Sequence, residues 1–349
     1  MKKFHNNIFS LLIFLFITAT ISILLIMWLN LSDAIEKLAI NKLNEITEKT
    51  VTKLDAYFDA IRADLLQMKE LSDNGMLDAE NNMNMNYLLM PVYNTAPQIT
   101  TFAIARSNGD EFSLIREDST WLNNFVYETD SGMNIIRERW IGDYMDRIVI
   151  RQWEDYNAGY DPRTRDWYKG ASALFETSPV YWTNPYKILF QTFPGITAAT
   201  KAKSKKSGEY NIVQWDILLS DISEFTRQLA FSENGRVFLL SENNEVLGLP
   251  ADKRFENTDS LRKYVLLHYD SAGYIPMSCA MHSEHEQAKP FPFMINVSAW
   301  WGCISKYELD NGRHFLIGVV VPESDFLSDI KRTRNIIFGC SILITIFII

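Results

Sequence analysis

The feature that most restricts the fold of this chain is a predominantly apolar run near its start, residues 8–31. A helix over this run is about 36 Å long at about 1.5 Å per residue, longer than the ~30 Å hydrocarbon core of a bilayer. A cleaved signal peptide has a shorter apolar core and ends in a small-x-small site, which residues 30–33 do not offer. The run therefore predicts an uncleaved transmembrane anchor, with Lys2 and Lys3 on the cytoplasmic side.

The other end of the chain is apolar again, from residue 336 to residue 349. A helix over these residues is roughly 21 Å long, which is short of a membrane crossing. We therefore expect residues 334–349 to begin a second transmembrane helix, in a truncated chain or a natural fragment. Lys331, Arg332 and Arg334 would then lie outside the cell, against the usual bias, but the first helix usually dominates the topology. Residues 32–334 are accordingly predicted to be extracytoplasmic.

The composition excludes two classes of protein. A hydrophobic fraction of 47% argues against a disordered chain. A net charge of −9 argues against nucleic acid as the partner, because phosphate binding needs clustered Lys and Arg. Three cysteines are too few for a disulfide scaffold. Whether Cys279 and Cys303 form one bridge is open, and Cys340 lies in the apolar tail.

Residues 32–71 contain neither proline nor glycine, and their apolar residues recur mostly three or four positions apart. This spacing predicts one amphipathic helix that continues from the membrane anchor. Asn74 and Gly75 are expected to end it. A weaker second helix is predicted at residues 86–93, where Pro91 should kink or shorten it.

Apolar and polar residues then alternate in short runs, which predict antiparallel strands in two groups. Helices are expected at residues 220–229 and 259–269, and a last helix should begin near Pro322. The predicted fold class is therefore α+β, with two helix-and-sheet modules in series on one long helix. The predicted strands are 100–105, 111–116, 134–140, 147–153, 196–202, 210–219, 237–240, 245–248, 296–301, 303–309 and 314–321.

Residues 160–168 concentrate two guanidinium groups, two phenols, an indole and two carboxylates. An Asp-Pro pair marks a turn, so we expect a loop that leads into a short helix. Arg165, next to the rings of Trp167 and Tyr168, has the chemistry that binds a carboxylate on a small molecule. The alternative is a surface loop whose Arg and Asp side chains pair with each other, and composition alone favours that alternative.

Asp216 lies inside an apolar strand, where a carboxylate is costly unless it is paired or hydrogen-bonded. It is either a satisfied structural residue near the start of the following helix or part of a pocket wall that meets a ligand's cation. The sequence pattern does not choose between the two.

Several motifs together resemble the double Cache family of bacterial extracytoplasmic sensor domains. The resemblance covers residues 32–334 approximately and implies two PAS-like modules, with the ligand usually in the membrane-distal one. The motifs, in the family's order, are Asp161-Pro162-Arg163-x-Arg165-x-Trp167-Tyr168-x-x-Ala171, Pro185-Tyr186, Gly195-Ile196-Thr197-Ala198, Asp216-Ile217-x-Leu219 and Gly318-Val319-Val320-Val321-Pro322-Glu323-Ser324.

The resemblance also implies a ligand site. Family members that bind amino acids hold the ligand carboxylate with Arg and Trp, and its amine with Tyr and Asp. This sequence departs from their pattern at Ile188, where they have an Asp, so a carboxylate or another small polar ligand is as open as an α-amino acid. Arg163 is interpreted as structural. The residues expected to contact the ligand are Tyr160, Arg165, Trp167, Tyr168, Tyr186 and Asp216.

These observations predict a receptor of the bacterial cell membrane with an extracytoplasmic sensor. The expected division is an anchor at 1–31, the long helix and distal module at 32–230, the proximal module at 231–333, and a truncated second membrane helix at 334–349. The expected partners are a small-molecule ligand, the membrane and a second copy of the chain through the long helix. An output module, absent from this chain, would carry the signal. The alternative is an extracytoplasmic binding or scaffold protein without output.

Catalysis is not predicted within these residues. The sequence has no Gly-rich phosphate loop, no nucleophile elbow and no H-E-x-x-H motif. Cys279-x-x-His282-x-x-His285 has zinc-ligand types, but no fourth ligand is evident. We therefore expect no metal site and no cofactor.

Overall fold

The computed structural model describes residues 2–77, 79, 82–117, 119–130, 132–143, 145–174, 179–189, 193–205, 209–229, 231–284 and 286–348. Lys206, the last residue of the lysine-rich run at residues 201–206, lies outside these ranges. The α-helices are α1 (Lys2–Asp73), α2 (Asn82–Thr95), α3 (Asp166–Ser172), α4 (Leu219–Gln228), α5 (Thr258–Tyr264), α6 (Ile275–His282) and α7 (Ser324–Ile348).

The strands form two antiparallel sheets. The first has the order β5-β4-β3-β2-β1-β9-β8-β6, with β7 also paired to β8, and the second has the order β11-β10-β14-β13-β12. Their bounds are β1 (Thr101–Arg106), β2 (Glu111–Arg116), β3 (Trp121–Thr129), β4 (Gly132–Ile141), β5 (Ile148–Asp155), β6 (Tyr181–Trp182), β7 (Tyr186–Lys187), β8 (Pro194–Lys203), β9 (Tyr210–Leu218), β10 (Arg236–Leu240), β11 (Val246–Gly248), β12 (Phe291–Ile295), β13 (Ser298–Glu308) and β14 (His314–Pro322).

The two sheets share one connectivity. In the second sheet, the first strand lies between the second and the last strand, and the fourth strand separates the last from the third. The first sheet repeats this order once the hairpins of β3, β4 and β5 are regarded as an extension beyond β2. The predicted α+β class with two antiparallel sheets and a long helix is confirmed.

The long helix α1 joins the two sheets. It contacts β8 and β9 of the first sheet and β13 and β14 of the second. Side chains at the predicted three- and four-residue spacing, such as Leu54, Phe58 and Ile61, are fully buried. The helix ends where expected, since Gly75 has a φ of +66° and its N–H donates to the Ser72 carbonyl at 2.8 Å.

The helices at the two ends of the chain lie side by side. Ile21 and Leu25 of α1 and Phe338 of α7 line one apolar crevice, and large apolar side chains such as Phe14 and Leu343 are exposed. Within the described part of the chain, no helix combines the length and the apolarity that a membrane crossing requires.

Several element bounds differ from the prediction. The strands predicted at 296–301 and 303–309 form the single strand β13, while Asn296, with a φ of +52°, lies in the turn before it. Gly302 lies within this strand, and the rings of Phe291 and Phe293 occupy the space that a side chain there would need. The helix predicted at 259–269 ends at Tyr264. β3, β6, β7, β12 and α6 were not predicted.

Candidate ligand-binding site

The site is built on one face of the first sheet, where β2, β1 and β9 lie side by side. Thr101 of β1 lies opposite Asp216 of β9, and Ala103 lies opposite Gln214. On its other side, Ala103 lies opposite Ser113 of β2. Side chains alternate along a strand and directly opposite residues share a face. These five side chains therefore form one surface.

A turn and a short helix cover this face. The Asp161 carboxylate accepts a hydrogen bond from the backbone N–H of Arg163 at 2.9 Å, which sets the 3₁₀ turn before α3. The Arg163 guanidinium binds both oxygens of Asp161 and donates to the Asn108 carbonyl at 2.8 Å. Arg163 therefore fastens the turn to the β1–β2 hairpin, whereas Arg165, two residues later, faces the space beneath.

Between the face and its cover lies a cavity with about 340 Å³ of atom-free space when its open mouth is included, of which about 30 Å³ can hold the centre of a water-sized sphere. Five of the six predicted residues line it: Tyr160, Arg165, Trp167, Tyr186 and Asp216. Charged groups at this cavity are Glu111, Arg165 and Asp216. The folded chain thus gathers charged residues that are up to 105 positions apart, counted from Glu111 to Asp216.

Arg165 is half-buried, and its guanidinium carbon lies 5.7 Å from the centre of the Tyr186 ring. Among the described residues, its side chain forms no hydrogen bond, and no acidic oxygen lies within 4 Å of its guanidinium nitrogens. A partly desolvated cation held against a ring in this way favours an anion that comes from outside the protein.

Asp216 is 3% exposed and belongs to a chain of hydroxyl groups. Thr197, opposite it on β8, donates to its carboxylate at 2.6 Å. Because the single Thr197 hydrogen is used in that bond, the Tyr186 hydroxyl, 2.6 Å from Thr197, must donate to the Thr197 oxygen. Burial raises the pKa of Asp216 to about 6, and the bond from Thr197 and the charge of Arg165 only partly oppose it.

Glu111 is a second buried acid that the sequence reasoning missed. It lies opposite Ala105 of β1, which places it on the same face as Ser113. Its carboxylate, 4% exposed, accepts a hydrogen bond from the Tyr160 hydroxyl at 2.6 Å. Burial, together with the nearby Asp216 charge, raises the pKa of Glu111 to about 7, although the hydrogen bond from Tyr160 and the charge of Arg165 oppose the shift.

The sequence does contain a signal for Glu111. In β2, polar residues 111 and 113 alternate with Phe112 and Leu114, which indicates that Glu111 and Ser113 share a face. The simplest interpretation of such a polar face is that it is exposed to solvent. The cover that buries it lies about 50 residues further along the chain, so only the folded structure shows that the face is internal.

Tyr168 does not line the cavity. Its hydroxyl donates to the Arg106 carbonyl at 3.3 Å, and its ring packs near Tyr210 in a small apolar cluster. This position explains Tyr168 as a packing residue behind the site. Ile188, where amino-acid-binding members have an acid, is 3% exposed and forms part of the cavity wall.

The cysteines and the set-aside metal pattern lie elsewhere. Cys279, Cys303 and Cys340 are free thiols, which answers the question of a bridge between the first two. In the described residues, no group of three or more His, Cys, Asp or Glu side chains could hold a metal ion. His285 of the set-aside pattern falls outside those residues.

Two curated proteins are similar to part of this chain in sequence. No family model matches the chain. The chain is 28% identical over 143 residues to the methyl-accepting chemotaxis protein McpA of Pseudomonas putida, which is 41% of this chain and 20% of that protein. It is 24% identical over 138 residues to McpC of Bacillus subtilis, which is 40% of this chain and 21% of that protein. The matched part is thus about a fifth of the length of these curated relatives.

Solved structures match over most of the chain. The ligand-binding domain of the chemoreceptor PctB of Pseudomonas aeruginosa, in complex with L-Arg, has a TM-score of 0.52 at 15% identity and covers 81% of this chain and 94% of its own. The corresponding domain of Tlp3 of Campylobacter jejuni, in complex with 4-methylisoleucine, has a TM-score of 0.51 at 13% identity, with coverages of 83% and 93%. CtaA of Pseudomonas fluorescens, in complex with L-isoleucine, has a TM-score of 0.51 at 17% identity, with coverages of 85% and 97%.

These solved domains are sensor domains of the Cache type. The resemblance expected from the sequence motifs is therefore confirmed at the level of the fold.

Proposed function

We propose that this chain is the sensor part of a membrane receptor, and that the cavity beneath residues 160–168 binds a small polar ligand with a carboxylate group. The observation that carries the proposal is Arg165. Its guanidinium is half-buried at a cavity wall and, among the described residues, forms no ion pair within 4 Å and no side-chain hydrogen bond, while Glu111 and Asp216 act on it only at longer range. A ligand carboxylate would supply two acceptor oxygens to this planar fork and restore a charge pair.

The opposite wall supports an amine as the second group of the ligand. Asp216 takes part in side-chain hydrogen bonds with Thr197, Gln214 and Thr101, which leaves about one of the four acceptor positions of a carboxylate, and it lines the same cavity as Arg165. A ligand ammonium group there would pay back the cost of burying the carboxylate. A zwitterion such as an amino acid fits both walls, and the matched chemoreceptor domains that were solved with amino acids support this choice.

We assign the six predicted residues unequal roles. Arg165 would bind the carboxylate, with Trp167 beside it as an apolar wall. Asp216 and the Tyr186–Thr197 pair would bind the amine, and Tyr160 would close the far end. Tyr168 would act through packing, because its hydroxyl is already committed to a backbone carbonyl.

The apolar run at residues 8–31 supports membrane anchoring, with the sensor outside the cell. The repeated strand order supports the division into two PAS-like modules, near residue 230. A dimer through α1 and an output module beyond residue 349 remain part of the proposal, and we propose no catalysis by these residues. Anchoring predicts that the chain stays in the membrane pellet after an alkaline carbonate wash, and recovery in the supernatant would contradict it.

The route for a signal runs through α1. This helix contacts β8 and β9, which carry Thr197 and Asp216, and it continues toward the N-terminal apolar run. A ligand transmits a signal only if it binds two arrangements of the domain with different affinity. Helix shifts of about 1–2 Å are the usual scale of such changes.

A thermal-shift screen of the detergent-solubilised chain tests the binding proposal. Amino acids, organic acids, amines and purines are screened, and a ligand at a hundredfold excess over its Kd stabilises the fold by about 2.7 kcal/mol. We expect Arg165→Ala to abolish the shift caused by any carboxylate ligand. The control Lys187→Ala, which removes an exposed cation next to Tyr186, should keep it. An unchanged shift in Arg165→Ala would remove Arg165 from the site.

A further inference from the structure

The charges at the cavity do not balance around a simple zwitterion. Two carboxylates, Glu111 and Asp216, and one guanidinium, Arg165, face the space. An α-amino acid with a neutral side chain brings one anion and one cation, so one buried acid is left without a cation. A buried charge without a partner is costly, and the cavity must either protonate that acid or receive a second cation.

The two acids lie at different places along the sheet. Asp216 on β9 is opposite Thr101 of β1, whereas Glu111 on β2 is opposite Ala105. They are therefore on strands that flank β1 from both sides, and four positions apart along it. One ligand group cannot neutralise both acids, but a ligand with two cationic groups several bonds apart can reach one with each.

Glu111 already has the shape of a binding group. The hydroxyl groups of Tyr160 and Ser113 both hydrogen-bond its carboxylate, which can accept about four such bonds, so acceptor positions remain for a ligand cation. Gln214 lines the same cavity, and its buried side-chain oxygen accepts no hydrogen bond from the described residues. The ionisable groups that interact with Glu111 are Tyr160, Arg165 and Asp216. In addition, the charge of Glu111 contributes to the raised pKa of Tyr186.

We propose that Glu111 determines the ligand class, and that the cavity selects amino acids with a second, cationic group on the side chain. This inference rests on the proposed function, because Arg165 and Asp216 are taken to hold the α-carboxylate and the α-amine. Glu111 then binds the side-chain cation. The family's Asp is replaced here by Ile188, and Glu111 supplies an acid on another wall of the cavity. The cavity would therefore select its ligand by the side-chain cation rather than by additional contacts to the α-amine.

Proton linkage follows from this arrangement. In the empty cavity, Glu111 has a pKa of about 7 and is partly protonated at neutral pH. A bound side-chain cation requires its ionised form, so binding releases a proton and strengthens as the pH rises. Between pH 6 and pH 8 the Kd of a cationic ligand should fall about tenfold more than that of a neutral isostere. Asp216, which meets the α-amine of both ligands, affects both equally.

Two isosteric probes test the inference, L-ornithine and L-norleucine, which differ at the end of the side chain in an ammonium group against a methyl group. Their Kd values are measured by calorimetry at pH 6 and pH 8 on the detergent-solubilised full chain. We expect L-ornithine to bind at least tenfold tighter than L-norleucine at pH 8, and to lose most of that advantage at pH 6. This comparison on the wild-type chain does not depend on any variant.

Glu111→Gln adds a direct test, because glutamine can still accept the hydrogen bond from Tyr160. At pH 8 we expect this variant to raise the Kd of L-ornithine at least tenfold and to change the Kd of L-norleucine by about twofold or less. The extra pH dependence of the Kd of L-ornithine should disappear. Glu48→Gln, which removes an exposed acid of α1, is the matched control and should change neither ligand.

The outcomes separate the two proposals. If L-norleucine binds in an Arg165-dependent way and L-ornithine binds no better, the role of Glu111 is overturned while the site stands. The same holds if Glu111→Gln weakens both ligands equally. If neither probe binds but another carboxylate in the screen binds in an Arg165-dependent way, the inference falls while the proposed function stands. If no carboxylate in the screen binds, the proposed function falls together with the inference.

Discussion

Asp310 accepts a hydrogen bond from the indole N–H of Trp182 at 2.9 Å, although the two residues are 128 positions apart. Trp182 belongs to β6 of the first sheet, and Asp310 lies in the turn between β13 and β14 of the second. Asp310 also forms an ion pair with Arg62 of α1 at 3.0 Å. One carboxylate therefore joins both sheets and the long helix.

Asp310→Asn should weaken this junction. The change removes the ion pair with Arg62 but keeps an oxygen for Trp182, so we expect a loss of about 1–2 kcal/mol in the free energy of unfolding. Urea denaturation measures it. Asp59→Asn is the control, because Asp59 also pairs with Arg62 but is more exposed, and should cost about 0.5 kcal/mol or less. Equal losses in the two variants would show that Asp310 has no special role.

Glu111→Gln should stabilise the empty protein at high pH. Burial raises the pKa of Glu111 to about 7 from an ordinary value of 4.5, so the folded state holds its proton where the unfolded state has lost it. The free energy of unfolding of the wild type therefore falls as the pH rises through this window. We expect the variant to be more stable by about 1–3 kcal/mol at pH 8, and equal to the wild type near pH 4.

Urea denaturation at the two pH values, without ligand, measures this difference. A difference that is the same at pH 4 and pH 8 would contradict the assignment of Glu111 as the ionising group.

Thr197→Val should destabilise the protein in a pH-dependent way. Thr197 donates to Asp216, and the bond is strongest when Asp216 is ionised, above its pKa of about 6. We expect a loss of about 1–3 kcal/mol at pH 8 and a smaller loss at pH 5. Thr200→Val is the control on the same strand, because Thr200 donates to the neutral carbonyl of Pro179, and its cost should not change with pH.

Gly195→Ala should disturb the wall that carries Tyr186. Gly195 pairs with Tyr186 on one side and Leu218 on the other, and an added side-chain carbon would collide with Ile188 and with the Ile217 carbonyl. We expect a loss of about 1–3 kcal/mol in stability and weaker binding of any ligand found in the screen. Adding Ile188→Ala should not rescue the variant, since the backbone collision remains. Full rescue would show that only the side chain was in the way.

Much of the fold follows from local chemistry. β2 begins and ends at the predicted residues, and α1 ends before Gly75, because alternation, helical spacing and a left-handed glycine act over a few neighbouring residues. The prediction failed where distant contacts decide. β13 continues through Gly302, where the aromatic side chains of β12 occupy the space that a side chain would need, and β12 itself was not predicted.

The same division applies to the site. The sequence by itself indicated Arg165 and Trp167 as candidate site residues, since a turn and a short helix place them close together whatever lies around them. Only the tertiary structure decided that Glu111 is internal, that Tyr168 is not part of the cavity wall, and that Arg165 faces two acids. Burial and electrostatic fields depend on what packs across the sheet, and strand register places those groups together from parts of the chain that share no local pattern.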